Sequence, residues 1–168
     1  PVAAYSGMLP GLLAGHYTRG ALEIDLVKLA RFAGARLVLG RATGIDRERR
    51  RVEVPGRADI AYDLLSIDIG ITSDMPDLPG FAGHGVPAKP LDGLADRWEG
   101  YCAEVAAGRA APAVAVIGGG LAGCELALAA AHRLGKGAQV SLIEAERALS
   151  AVGRGARRAL LAYLGGAG

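Results

Sequence analysis

The stretch Ala113-Val114-Ala115-Val116-Ile117-Gly118-Gly119-Gly120-Leu121-Ala122-Gly123 decides the fold of this chain. Five apolar residues read as a short buried strand and run directly into G-x-G-x-x-G. Cys124 to Ala131 continues as an apolar, Ala-rich helix. Gln139 to Ile143 reads as a second apolar strand and ends at Glu144. Strand, glycine turn, helix, strand and terminal acid in this register are the parts of a βαβ unit that takes a dinucleotide.

Each part has a physical task. Gly118 permits the sharp turn out of the strand, which a Cβ would resist. Gly120 leaves the backbone bare where a pyrophosphate must approach, and Gly123 lets the helix pack close to the strands. With Leu121, these glycines place free N–H groups and the positive end of the helix dipole at the phosphates. Glu144 lies 21 residues beyond Gly123. A carboxylate there accepts hydrogen bonds from the ribose hydroxyls and repels a 2′-phosphate, which favours NAD over NADP. Arg147, three residues on, works against that preference. A glycine-rich chain (26 Gly) meets G-x-G-x-x-G by chance, so the flanking strands and the acid carry the reading.

Composition excludes several classes. A chain of 168 residues with 51% hydrophobic content can build a real core, as one domain or two small ones. Aromatic residues make up only 5%, so that core is aliphatic. The net charge of +2 with mixed signs gives no basis for nucleic-acid binding. The run Arg47 to Arg51 contains Glu48 and reads as a solvated hairpin tip rather than a binding patch. No apolar stretch approaches the roughly 20 residues that span a bilayer. The start at Pro1 has no charged leader segment and is not a signal peptide. Cys102 and Cys124 form neither a disulfide framework nor a metal spacing, which points to a reducing cytoplasm. Cys124 could be a redox thiol at the helix start, but it reads better as a small packing residue.

The remaining elements follow from periodicity and punctuation. Asp25 to Ala33 is expected as a helix capped by Asp25, with Leu26, Leu29 and Phe32 on its apolar face. Ala35 to Thr43 and Tyr62 to Ile69 are expected as buried strands, and Arg51 to Val54 as an alternating one. Residues 71–90 carry Pro76, Pro79, Pro87 and Pro90 and read as an irregular connection. His84 within it reads as a solvated loop residue, and Asp74 and Asp77 as turn residues. Asp92 to Ala107 is a longer helix with a stripe of Leu94, Trp98, Tyr101, Cys102 and Val105. A last helix is expected from about Gly153 to Leu164, with Arg154, Arg157 and Arg158 exposed.

The order of these pieces resembles the middle of the FAD-dependent pyridine nucleotide-disulfide oxidoreductase superfamily, which includes type II NADH dehydrogenases and ferredoxin reductases. The resemblance covers nearly all of the chain. It rests on Arg41-Ala42-Thr43-Gly44-Ile45-Asp46 before a meander, Tyr62-Asp63-Leu64-Leu65-Ser66-Ile67-Asp68-Ile69-Gly70, and the unit from Val114 through Glu144. The Ser66-to-Gly70 variant with Lys89-Pro90 is similar to dehydrogenase-like proteins fused to selenide, water dikinases. The resemblance implies an FAD domain interrupted by an NAD domain. It places Glu125 toward the nicotinamide, and Ala42 and Gly70 at the flavin edge. Two departures stand out: no second G-x-G-x-x-G precedes Gly118, and no C-x-x-x-x-C pair is present.

The expectation is therefore an α/β chain of two partial Rossmann-like, three-layer units, with parallel sheets, an antiparallel meander and a Pro-rich connection. Residues 1–75 would belong to an FAD-binding-like domain, 76–111 to a linker and connecting helix, and 112–168 to the first half of a nested NAD-binding domain. The chain would be an internal piece of an enzyme that passes a hydride from NADH to FAD and on to an unidentified acceptor. As a piece it would be inactive alone and would self-associate. The alternative is a dinucleotide-binding regulatory module without chemistry.

Overall fold

The computed structural model describes residues 1–70 and 77–166. In chain order the elements are β1 (Val2–Ala4), a 3-10 turn (Ser6–Met8), α1 (Leu9–Leu13), α2 (Arg19–Leu22), β2 (Glu23–Asp25), α3 (Leu26–Phe32), β3 (Gly44–Asp46), β4 (Arg51–Glu53) and β5 (Ile60–Ala61). Then follow α4 (Phe81–His84), α5 (Leu91–Ala106), β6 (Ala113–Ile117), α6 (Leu121–Leu134), β7 (Gln139–Ile143) and α7 (Arg154–Gly166). β1 and β2 pair, β3, β4 and β5 form an antiparallel meander, and β6 and β7 run parallel. This is the α/β, Rossmann-like architecture expected, with two compact units: Pro1–Ala3 with Asp25–Ile71, and Ala4–Ile24 with Thr72–Gly168.

The second unit holds most of the core. Leu9, Leu12, Leu13 and Leu22 pack with Leu91, Ala95 and Trp98 of α5 and with Ala129 and Ala130 of α6. Small alanines on α6 let α1 lie close to it. The α5 stripe reads correctly from sequence: Trp98 is 6% exposed and its indole N–H donates to the Leu13 carbonyl at 2.9 Å. α1 covers Trp98, and Leu94, Tyr101, Cys102 and Val105 of the stripe are half-buried. The Tyr101 hydroxyl lies 2.8 Å from the Ala111 carbonyl oxygen and 2.8 Å from the Ala113 N–H, which donates to it. That bond ties the end of α5 to the start of β6.

β6 and β7 pair in register from Ala113 with Gln139 to Ile117 with Ile143. Only one face of the pair is covered. Val114, Val116, Val140 and Leu142 are half-buried, whereas Ala113, Ala115, Ile117, Ser141 and Ile143 are exposed. α6 covers a single face of the pair, and the apolar residues of the other face stand open.

The first unit departs further from expectation. Asp25 caps α3 as anticipated, accepting from Val27 N–H at 2.9 Å and Lys28 N–H at 3.1 Å. The apolar face of α3, however, is open, and Phe32 is 91% exposed. Residues 35–43 and 62–70 are irregular rather than strands, with Leu39, Leu64, Ile67 and Ile69 exposed. A strand exists only when its N–H and C=O groups find a ladder. Here the ladder extends past the meander by single bonds, Thr43 N–H to Glu53 and Tyr62 N–H to Arg50. The charged tip is a turn between β3 and β4, as expected. Of the Pro-rich connection, residues 71–76, including Asp74, lie outside the described residues. Asp77 lies outside any helix or strand, and the later part carries α4, at whose end His84 is exposed.

Trp98→Phe keeps most of the buried ring but leaves the Leu13 carbonyl without its donor. Unfolding in urea should show a loss of about 1–3 kcal/mol, the cost of an orphaned buried acceptor. An unchanged midpoint and slope would show that the bond adds nothing to stability.

Candidate functional site

The glycine turn sits where β6 hands over to α6. Gly118 continues the parallel ladder, donating its N–H to the Ile143 carbonyl at 2.8 Å. It then turns at φ 111°, a region open to glycine and closed to most side chains. Its carbonyl oxygen lies against Gly123, and a Cβ built on Gly123 would collide with it. The helix can approach the strand this closely only with glycine at that position.

Gly120 is the N-cap residue of α6, with extended backbone (φ −71°, ψ 178°) and no side-chain cap on the helix. A Cβ built on Gly120 meets nothing within 4 Å. Glycine is therefore not needed there for the protein's own packing. What its absence of a side chain preserves is open space in front of an uncapped, 14-residue helix start. That is the surface a pyrophosphate requires. Leu121, the first residue of α6, is half-exposed at the same mouth.

Glu144 follows β7, beside the turn. Its Oε2 accepts from the Gly119 N–H at 2.6 Å, and its Oε1 accepts from the Glu146 N–H at 3.3 Å. The Gly119 bond, with a smaller contribution from Glu146, holds this carboxyl below the usual carboxylate range, so it is ionised at neutral pH. Two carboxylate oxygens offer about four lone-pair directions, so acceptors remain for ribose hydroxyls. Sequence reasoning placed Glu144 at the ribose; it gave no sign that the same side chain holds the glycine turn. It also missed Leu149, whose N–H donates to the Gly119 carbonyl at 2.7 Å. The expected exposure of Arg157 is corrected: it is half-buried, donating from Nε to the Ala148 carbonyl at 2.8 Å.

Of the other residues singled out, Glu125 is exposed on the first turns of α6. Ala42 and Gly70 lie in the first unit, exposed and outside regular elements. Arg147 is exposed. Cys124 is buried beneath the turn, where desolvation first and Glu125 second push its thiol up from its ordinary value. It packs the helix and is not an activated nucleophile.

Two cavities of this unit lie away from the glycine turn. One of about 380 Å³ is lined by His16, Arg19, Asp96, Glu99 and Arg133, and its charges are paired as Arg19 with Asp96 and Arg133 with Glu99. In front of Gly120 the glycine turn opens to free space. Among the described residues no cluster of side chains has the makings of a metal site, and no helix is long and apolar enough to cross a membrane.

Comparison with known proteins matches the same architecture. The sequence profile of the family described as pyridine nucleotide-disulphide oxidoreductase fits residues 9–168. Demethylphylloquinone reductase NdbB of Synechocystis sp. is 28% identical over 106 residues, which are 61% of this chain and 26% of that protein. The ferredoxin reductase for the CYP199A2 system from Rhodopseudomonas palustris superposes over 100% of this chain and 40% of its own, with TM-score 0.72 and 23% identity. Reduced Bacillus anthracis CoADR-RHD does so over 98% of this chain and 30% of its own, with TM-score 0.73 and 20% identity. At those identities the structures speak to the fold. The chain spans about a quarter of the curated relative's length.

The two glycines make a sharp contrast. Gly123→Ala should lower stability by at least about 2 kcal/mol, the range of severe packing faults, because backbone must move to admit the methyl. Gly120→Ala should leave the melting temperature nearly unchanged. Thermal melts of both variants check this, and equal losses would contradict the geometry.

Proposed function

We propose that this chain, which belongs to the pyridine nucleotide-disulphide oxidoreductase family, is the nucleotide-binding part of a flavin-dependent oxidoreductase that takes a hydride from NADH to FAD and on to an acceptor. The observation that carries the reading is the pairing at the turn. Glycine at 123 is demanded by the fold, whereas a side chain at 120 would meet no atom of the protein within 4 Å and its absence leaves the helix start open. The residues present therefore fit a dinucleotide.

In this reading Gly118, Gly120, Leu121 and Gly123 receive the pyrophosphate on backbone N–H groups and the helix dipole. Glu144 receives the ribose and disfavours a 2′-phosphate. Glu125 faces the nicotinamide end, and Ala42 and Gly70 the flavin. Residues 1–75 supply part of the flavin domain, 76–111 the connection, and 112–168 the first half of the NAD domain. The two cofactors supply the hydride chemistry when bound, and the chain's own residues bind and orient them. No side chain here acts as a general acid or base. The acceptor is unidentified: by their names, one relative acts on a demethylphylloquinone and another serves as a ferredoxin reductase. Two free cysteines, Cys102 and Cys124, suit a reducing cytoplasm.

Titration of wild type and Glu144→Ala with NADH and NADPH tests the site. Wild type should prefer NADH, and the variant should lose about 1–3 kcal/mol of NADH binding, as for a charged hydrogen-bond acceptor. Equal affinity of wild type for both nucleotides would remove the NAD assignment. Flavin absorbance in a longer protein carrying this chain tests the FAD half.

We infer self-association of the 168-residue chain from the open face of β6 and β7, a two-stranded sheet among the described residues, where Ile117 and Ile143 stand exposed. Sedimentation equilibrium over a wide concentration range should show a mass rising above 17.1 kDa. A single mass at that value throughout would refute it.

A further inference from the structure

Gly119, the middle residue of the turn, is held from outside the turn on both sides. Its N–H goes to Glu144 and its carbonyl to the N–H of Leu149. A peptide unit is planar and trans, so its carbonyl and its N–H point in opposite directions. Holding the Gly119 N–H therefore aims the Gly118 carbonyl the other way, and that carbonyl is the one lying against Gly123. By the same rule, holding the Gly119 carbonyl at Leu149 aims the Gly120 N–H away from Leu149.

Leu149 is an unexpected residue for this task. Its φ is 56°, in the left-handed region that a non-glycine residue occupies at a cost. Its side chain is 1% exposed. Burial of the leucyl group locks the residue in place, which a glycine would not. Its own carbonyl accepts from the Val152 N–H at 3.2 Å, and the preceding carbonyl, that of Ala148, accepts from Arg157 Nε. The segment after β7 is thus anchored at several points, and it reaches the turn through the Glu144 carboxylate and the Leu149 N–H.

We propose that Leu149 is a positioning residue of the dinucleotide site: its backbone N–H sets the plane of the Gly119–Gly120 peptide and so presents the Gly120 N–H to the pyrophosphate. This rests on the dinucleotide reading above. The left-handed backbone brings the N–H to Gly119, and the buried side chain keeps it there.

The test uses the 168-residue chain with three changes at this position. One replaces Leu149 by its α-hydroxy analogue, which puts an ester oxygen where the N–H stands and keeps the side chain. The others are Leu149→Val, whose β-branch resists a positive φ, and Leu149→Met, which keeps bulk without the branch. NADH affinity is read by fluorescence titration, and the Gly120 amide by its NMR resonance, alongside a thermal melt. The ester and Leu149→Val should weaken NADH roughly tenfold, as loss of one hydrogen bond does, and Leu149→Met should stay within about twofold of wild type. The Gly120 amide resonance should move with NADH in wild type and Leu149→Met, and lose that response in the other two. Should the ester chain fail to fold, the Val and Met pair decides. Folded ester or Val chains that bind NADH as wild type does would overturn the proposal, as would a Met chain as weak as the Val chain. A wild-type chain that binds no NADH would overturn the dinucleotide reading, and this proposal with it.

Discussion

The Gly118 carbonyl lies against Gly123, and the glycine turn of the second unit is arranged around that contact. It lets α6 start directly over the end of β6, so that the open helix N-terminus stands at the end of the strand. It requires the Gly118–Gly119 peptide to face one way, and the Glu144 bond to Gly119 N–H enforces that direction from β7. The parallel ladder from Ala113 to Ile117 supplies the rigid base on which this happens. A clash, a carboxylate and a strand pair thus act on the same few backbone atoms. Displacing one of them disturbs the others, because interiors at this density transmit strain rather than absorb it.

Glu144 consequently serves two masters. Toward the protein it is an acceptor for backbone N–H groups, which keeps it ionised. Toward solvent, its remaining lone pairs stay available as acceptors. Replacing it therefore disturbs the turn, unless the substitute can still accept from Gly119.

The two units differ in how far local sequence could dictate structure. In the second, apolar periodicity and glycine spacing agree from α5 onward, and α5, β6, β7 and α7 form within a residue or two of where the pattern puts them. The Trp98 stripe and the Ala-rich α6 were legible for this reason. In the first unit, residues 35–43 and 62–70 have the composition of strands and remain irregular. Strand propensity describes how a residue fits a paired, half-buried surface, and it has no force without the partner. Leu64, Ile67 and Ile69 satisfy the pattern and stand in solvent.

By itself, the sequence determined the βαβ unit, the positions of Gly118, Gly120 and Gly123, and the acid at 144, because each follows from spacing along a single strand–turn–helix path. It also determined the family. Only the tertiary structure decided that α1 and α2 pack with α5 and α6, since that cluster joins residues some 70 to 120 positions apart with nothing local to announce them. Only it revealed that Glu144 and Leu149 grip Gly119 from either side. A hydrogen bond between backbone groups leaves no side-chain signature, and a leucine forced into a left-handed turn reads, in sequence, as an ordinary apolar residue.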